Sequence, residues 1–192
     1  MRLHFVYRVL NRAETLKKLR KKLESSKKII WLFGRSGAGK TTLASKIVDR
    51  YNALQIPCLW LDGDRVRQGL SNDLGYTLND RMENHRRIIE VAGIAYEQGF
   101  NVVVSAMAPT ETIRAKVNEL AKVEIDWIYI DTDEKTSSQR GKGTYSSHQN
   151  GSSTPFCGPN STERIKLHLN TSLEGIELSQ SRVFSELNLI NP

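Results

Sequence analysis

The stretch Gly34-Arg35-Ser36-Gly37-Ala38-Gly39-Lys40-Thr41-Thr42 constrains this chain more than any other. It follows Ile29-Ile30-Trp31-Leu32-Phe33, an apolar run that reads as a buried strand. It precedes Leu43-Ala44-Ser45-Lys46-Ile47-Val48, which reads as a helix. The spacing G-x-x-x-x-G-K-T is complete from Gly34 to Thr41, in the strand, loop, helix order that a phosphate-binding loop requires. Glycines let the backbone wrap a phosphate and turn its N–H groups inward. A helix starting near Lys40 aims its positive dipole end at the same phosphates. Lys40 is placed to reach the β- and γ-phosphates of a nucleoside triphosphate, and Thr41 to ligate Mg2+. The competing reading, a glycine turn before an ordinary helix, leaves this motif and its flanks to coincidence.

The rest of the chain alternates strands and helices. Pro57 to Leu61 reads as a second strand ending in Asp62-Gly63-Asp64, and Asp64 to Leu70 as one or two helical turns. Residues 80–98 form a long helix whose apolar face carries Ile88, Ala92, Ala95 and Tyr96, and Gly99 ends it. Asn101 to Ser105 and Asp126 to Asp131 are a third and a fourth strand, with a helix over Thr110 to Lys122 between them. Ile165 to Leu169 is a fifth strand, and residues 176–187 close the chain as a helix. This alternation predicts an α/β fold with a central parallel sheet of about five strands and helices on both faces. Between Thr136 and Ser161 the apolar content collapses, which predicts a mobile lid or a disordered segment.

Charge divides the chain unevenly. Its net charge is +7, but residues 1–30 hold ten Lys/Arg against two Glu, and the remainder holds 18 basic and 21 − 2 = 19 acidic residues. The basic character therefore belongs to an N-terminal arm, taken as residues 1–28, and not to the catalytic body at 29–192. In the arm Asn11 and Glu14 read as a helix cap, and Leu16, Leu19 and Leu23 form one narrow apolar stripe among lysines. The arm reads as an extra helix laid on the domain or on a second subunit; a membrane or nucleic-acid contact and a cleaved targeting segment are the alternatives. No apolar run approaches the roughly 18 residues of a membrane span. Cys58 and Cys157 form no close pair, and Cys58 reads as a small buried hydrophobe. These features predict a cytoplasmic protein that does not bind nucleic acid.

The run from Leu61 to Val91 narrows the function. It reads L-D-G-D-R-V-R-Q-G-L, then D-L-G-Y-T, then D-R-M-E-N-H-R-R-I-I-E-V. This composite closely resembles the adenosine 5′-phosphosulfate (APS) kinase family, over about Ile29 to Arg114 and again, weakly, at Lys166 to Thr171. The resemblance implies transfer of the ATP γ-phosphoryl group to the 3′-hydroxyl of APS, a nucleotide substrate, and a homodimer. It also implies that Asp62 stands beside the magnesium and the acceptor hydroxyl, aligning that hydroxyl or taking its proton, where the alternative is a mere helix cap. Asp64 would help hold the metal or the acceptor loop. Arg67, Arg81 and Asn84 match acceptor-binding positions, and an anionic acceptor suits guanidinium donors. Arg81, Asn84 and Ile88 fall at i, i+3, i+7, so the polar pair can face the site while Ile88 enters the core.

Tyr76 matches an aromatic that stacks on the acceptor base, and Phe156 its partner across the base, against plain packing roles for both. Pro109 and Arg114 fit the family's S-P-x-x-x-x-R segment. Lys142 matches the lid lysine that reaches the phosphates, and Arg140 would lie over the adenine. Arg87 reads as a solvated helix charge, and His85 matches no family role and reads as a surface residue. Three departures fall around acceptor and lid: Met107-Ala108-Pro109 replaces Ile-Ser-Pro, the lid run Arg140 to Tyr145 is one residue short, and Phe156-Cys157-Gly158-Pro159 replaces F-T-G-I. A related kinase with another nucleotide acceptor, such as cytidine diphosphoramidate, and a catalytically silent nucleotide-binding module are therefore the competing functions.

Overall fold

A computed structural model describes Lys21, residues 27–140 and residues 155–189 of the chain. Most of the basic arm and the centre of the expected lid, Lys142 included, lie outside the described residues.

Five strands form one sheet: β1 (Ile29–Phe33), β2 (Cys58–Asp62), β3 (Asn101–Ser105), β4 (Ile125–Asp131) and β5 (Leu167–Asn170). They lie in the order β2-β3-β1-β4-β5, and every pairing is parallel. Parallel neighbours need crossovers, which the helices supply. These are α1 (Lys40–Ala53), α2 (Gly63–Gln68), α3 (Leu78–Glu97), α4 (Glu111–Leu120), α5 (Glu134–Arg140) and α6 (Ile176–Glu186). All five residues of β1 are buried. Side chains alternate across a strand, so Ile30 and Leu32 enter a core with Leu43, Ile47 and Val183, on the α1 and α6 side. Ile29, Trp31 and Phe33 enter a second core with Ile88, Ile113 and Val117, on the α3 and α4 side. A strand covered on both faces must be apolar throughout, which is why the run Ile29 to Phe33 carries no polar residue.

Helix starts are fixed locally. Thr77 caps α3 by a reciprocal capping box with Asp80, so α3 begins two residues before the expected start. Thr110 caps α4 through its hydroxyl and the Ile113 amide. The segment expected to be a lid is structured at its edges. Residues 136–140 continue α5, and Phe156 packs against the second core. No helix among the described residues is long and apolar enough to cross a membrane.

The strand order sets the site. The chain leaves β1 for β2, returns to β3 between them, and crosses to β4 on the other side of β1. The crevice beyond the carboxyl ends of β1, β3 and β4 is where such sheets hold ligands. The glycine loop leaves β1 at that end, and Asp62 ends β2 there.

Candidate active site

The loop between β1 and α1 is shaped by backbone that few side chains tolerate. A Cβ on Gly34 would lie 2.2 Å from the Ile130 carbonyl oxygen of β4, so only glycine fits where β1 gives way to the loop. Gly39 precedes α1 in the left-handed region, with φ +98°. No side chain caps α1 and no acidic residue lies in its first turn. The amides of that turn and the dipole behind them therefore form an anion site. Lys40 curls back over the loop, donating to the carbonyls of Gly34 (3.0 Å) and Arg35 (2.7 Å). Burial lowers its pKa to about 8, against the opposing pull of Asp64 and Asp62.

Asp62 is the junction between this loop and the rest of the site. Oδ1 accepts from the amides of Asp64 (3.1 Å) and Arg65 (3.4 Å), so Asp62 does cap α2. Oδ2 does something else. It accepts from Thr41 Oγ1 at 3.0 Å and from Ser105 Oγ at 2.7 Å. Asp62 and Ser105 are register partners on β2 and β3, which explains the second bond. The Trp60 indole N–H donates to Ser105 Oγ at 2.9 Å, which leaves the serine hydrogen for Asp62. The helix-cap reading of Asp62 is thus true but incomplete, and Ser105 and Trp60 are partners the sequence reading missed. Thr41 and Asp62 present hard oxygen atoms to one point beside the anion site, a donor set that fits magnesium held by few protein ligands and by phosphate.

Five residues after Asp62, at the end of α2, Arg67 opens a cationic and aromatic group. The Arg67 guanidinium stacks 4.7 Å from the Tyr76 ring centre and donates to the Gly75 carbonyl at 2.8 Å. The Arg81 guanidinium lies 5.5 Å from the same ring, and its Nε donates to the Tyr76 carbonyl. Tyr76 keeps 39% of its surface exposed, so it is not a core aromatic. Asn84, one turn along α3, is buried, and its Oδ1 has no hydrogen-bond partner among the described residues. A buried amide oxygen without a donor is costly and marks a place for a ligand or a water. Asp64 lies in the first turn of α2, near enough to raise the Lys40 pKa.

On the other side of the loop, the Arg35 guanidinium covers the Phe156 ring at 5.5 Å, and Phe156 stacks on Tyr129. Pro109 is tied to this segment, since its carbonyl accepts from the Cys157 amide at 2.7 Å. Arg140 donates to the Thr171 carbonyl at 3.1 Å, and the Thr171 hydroxyl donates to the Ala38 carbonyl of the glycine loop. Arg140 is therefore joined to the glycine loop through Thr171, a residue that sequence reasoning did not single out.

Two expectations are corrected. His85 is not on the surface: it is buried, stacked on Trp31 and bonded at both ring nitrogens. Arg87 is not a freely solvated charge, since it pairs with Asp73 and Glu83. Cys58 is half-buried, and burial pushes its thiol pKa up to about 12. Arg114, which fits the family's S-P-x-x-x-x-R segment, is fully buried. It pairs with Glu163 and donates to the carbonyls of Ala108, Cys157 and Gly158.

A glycine loop opening α1, a lysine over it, and an aspartate at the end of β2 bonded to the threonine in the first turn of α1 define a P-loop kinase. The adenylylsulphate kinase family profile matches residues 26–164, and the chain belongs to that family. An adenylyl-sulfate kinase of Clostridium kluyveri is 32% identical over 93% of this chain and 92% of its own. A bifunctional enzyme CysN/CysC of Xylella fastidiosa is 35% identical over 84% of this chain, which spans only 27% of that longer protein. The Mycobacterium tuberculosis APS kinase CysC, solved in complex with AMPPNP and APS, superposes with a TM-score of 0.75. It is 28% identical, covering 84% of this chain and 98% of that one.

Proposed function

We propose that this chain transfers the γ-phosphoryl group of ATP to the 3′-hydroxyl of APS, forming 3′-phosphoadenosine 5′-phosphosulfate. The observation that carries the reading is the Asp62 carboxylate. It is bonded to the Thr41 hydroxyl of the triphosphate loop on one side and followed on the other by Arg67, Tyr76 and Arg81. Donor and acceptor nucleotides then meet at one carboxylate. The solved APS kinase with bound AMPPNP and APS supports the same assignment through its fold.

In the transfer, the acceptor oxygen bonds to the γ-phosphorus as the bond to the β,γ-bridging oxygen breaks, and catalysis is mainly positioning and charge neutralisation. Residues Gly34 to Thr42 hold the triphosphate by backbone N–H groups. Lys40 leaves its two carbonyl partners for the β- and γ-phosphates, and the anionic charge there restores its proton affinity. Magnesium, held by Thr41 with Asp62 beside it, would neutralise charge on the β- and γ-oxygens. Rotation of the Thr41 hydroxyl frees a lone pair on Asp62 Oδ2, which accepts the 3′-hydroxyl hydrogen bond, aligns that oxygen and takes its proton as the new bond to phosphorus forms. Arg67 and Arg81 bind the phosphosulfate, Tyr76 stacks on the base, Phe156 joins it once Arg35 leaves its ring, and Asn84 Oδ1 accepts from the acceptor. Asp64 and Pro109 shape its pocket, Arg140 borders the ATP adenine, and Lys142 closes from the lid at 136–161.

The finer organisation belongs to the same proposal: a cytoplasmic homodimer with the basic arm at 1–28 packed on the domain or its partner. A second reading, transfer to another anionic nucleotide such as cytidine diphosphoramidate, is favoured by one observation. Ala108 is fully buried beside Pro109 and brings a methyl group where the family has a hydroxyl. Incubation of the full chain with MgATP and each acceptor, with ADP release as the readout, separates the two. Turnover of APS at a small fraction of the other acceptor's rate would replace the first reading by the second.

A further inference from the structure

His85 occupies the one position in α3 where a polar ring is buried between the acceptor helix and the loop after β3. It follows Asn84 directly and is 4% exposed. Its ring lies parallel to the Trp31 indole, 11° between planes and 5.8 Å between centres. Nδ1 is 2.6 Å from the Arg81 carbonyl oxygen, and the Ala108 amide donates to Nε2 at 3.1 Å.

These two partners fix the tautomer. A carbonyl can only accept, so Nδ1 carries the hydrogen, and an amide N–H can only donate, so Nε2 is bare. Few other side chains offer a donor on one edge and an acceptor on the other across this span. Burial, with the Arg67 and Arg81 charges adding to it, lowers the pKa to about 4 and keeps the ring neutral.

The residue held by Nε2 is itself unusual. Ala108 has φ +42°, a left-handed conformation that an alanine reaches only under constraint. The constraint has two ends: His85 takes its N–H, and Arg114 donates to its carbonyl at 2.8 Å. The preceding carbonyl, Met107, accepts from the Gly34 amide of the triphosphate loop, and the following one, Pro109, accepts from Cys157, next to Phe156. Loosening Ala108 therefore disturbs the spacing between Arg81 and Asn84 on α3 and Phe156 on the segment after the lid, and reaches the glycine loop only through the long 3.4 Å bond from Gly34 to Met107.

We propose that His85 is a positioning residue for the acceptor nucleotide: it locks the Met107–Pro109 loop against α3 and so sets acceptor affinity, without contacting the acceptor or controlling ATP. The proposal rests on the kinase reading above.

The test uses the full chain, His85→Leu, which removes both ring bonds, and His85→Gln, whose amide oxygen can still accept from Ala108. With APS as acceptor, His85→Leu should raise the acceptor KM about tenfold, the equivalent of one buried hydrogen bond, and leave the ATP KM within about twofold. His85→Gln should recover most of that loss. Equal increases in both KM values, or Gln no better than Leu, would overturn the claim. Nitrogen-15 NMR of the wild-type ring at pH 7 gives a readout that needs no acceptor: hydrogen on Nδ1 and a bare Nε2 are expected. Hydrogen on Nε2 would overturn the claim whatever the kinetics. Wild-type protein that ignores APS would instead count against the assigned acceptor, and the ring tautomer would still decide for or against His85.

Discussion

Thr41 Oγ1 donates to Asp62 Oδ2 across 3.0 Å, joining the first turn of α1 to the last residue of β2. With Ser105 on the same oxygen and two amides on the other, the carboxylate accepts four hydrogen bonds. That number saturates its lone pairs and holds it in one orientation. Asp62→Asn replaces one acceptor oxygen by a donor and should lower kcat by about 100-fold or more.

Ser105 should matter through Asp62. Ser105→Ala removes one of the two donors on Oδ2, and kcat should fall about tenfold, with the ATP KM little changed. Ser105→Thr keeps the hydroxyl and should recover most of the activity. Equal loss in the alanine and threonine variants, measured by steady-state ADP release, would mean that packing and not the hydrogen bond is at stake.

Lys40 carries an opposing pair of effects. Its folded pKa of about 8 lies below the ordinary 10.5, so the unfolded chain binds more protons between those two values. Stability from this group therefore rises as pH climbs from 8 to 10.5 and is lowest below 8. Lys40→Met should abolish turnover yet make the free protein more stable at pH 7, by about 1–3 kcal/mol, with the gap closing toward pH 10.5. Denaturation of both proteins across that range checks it. A variant less stable than wild type at pH 7 would contradict the burial argument.

Arg114 is the buried anchor of the segment after the lid. Its Nε and Nη2 donate to Glu163 at 2.5 and 2.8 Å, and three backbone carbonyls take its remaining donors. Arg114→Leu leaves the Glu163 carboxylate with only the Asn160 amide among the described residues and takes the guanidinium from those carbonyls, and should cost about 3–5 kcal/mol in urea denaturation. Adding Glu163→Leu should recover part of the loss, because the stranded charge goes with it.

The fold was legible because β1 is apolar throughout, β3 and β4 are built on apolar runs, and the glycine loop fixes the order around them. The site was legible where chemistry is local in sequence, as from Gly34 to Thr42 and from Asp62 to Arg67. His85 was misread although the pattern held a sign of its burial. It precedes Ile88 by three residues and Ala92 by seven, on the same helical stripe, and was read as surface because it matched no family role. Ser105 was missed for another reason. Its bond to Asp62 depends on the register of β2 against β3, and a single sequence does not carry the pairing of parallel strands joined by a long crossover. Glu163 stands 49 residues from Arg114, so no spacing rule connects them.

Acid should expose the misread histidine. The His85 pKa of about 4 lies below the ordinary 6.5, so the unfolded chain takes up the proton first as pH falls. The stability contribution is complete above pH 6.5 and declines by about 1.4 kcal/mol per unit between 6.5 and 4. His85→Gln should show a flatter stability profile over that window, and an unchanged slope would place the acid sensitivity elsewhere.

The most direct measurement follows phosphorus NMR of the full chain mixed with MgATP and APS. Loss of the ATP γ-signal matched by growth of a 3′-phosphate monoester and ADP, in equal amounts, is the predicted result. ADP accompanied only by inorganic phosphate, with the APS signal unchanged, would contradict phosphoryl transfer to that alcohol.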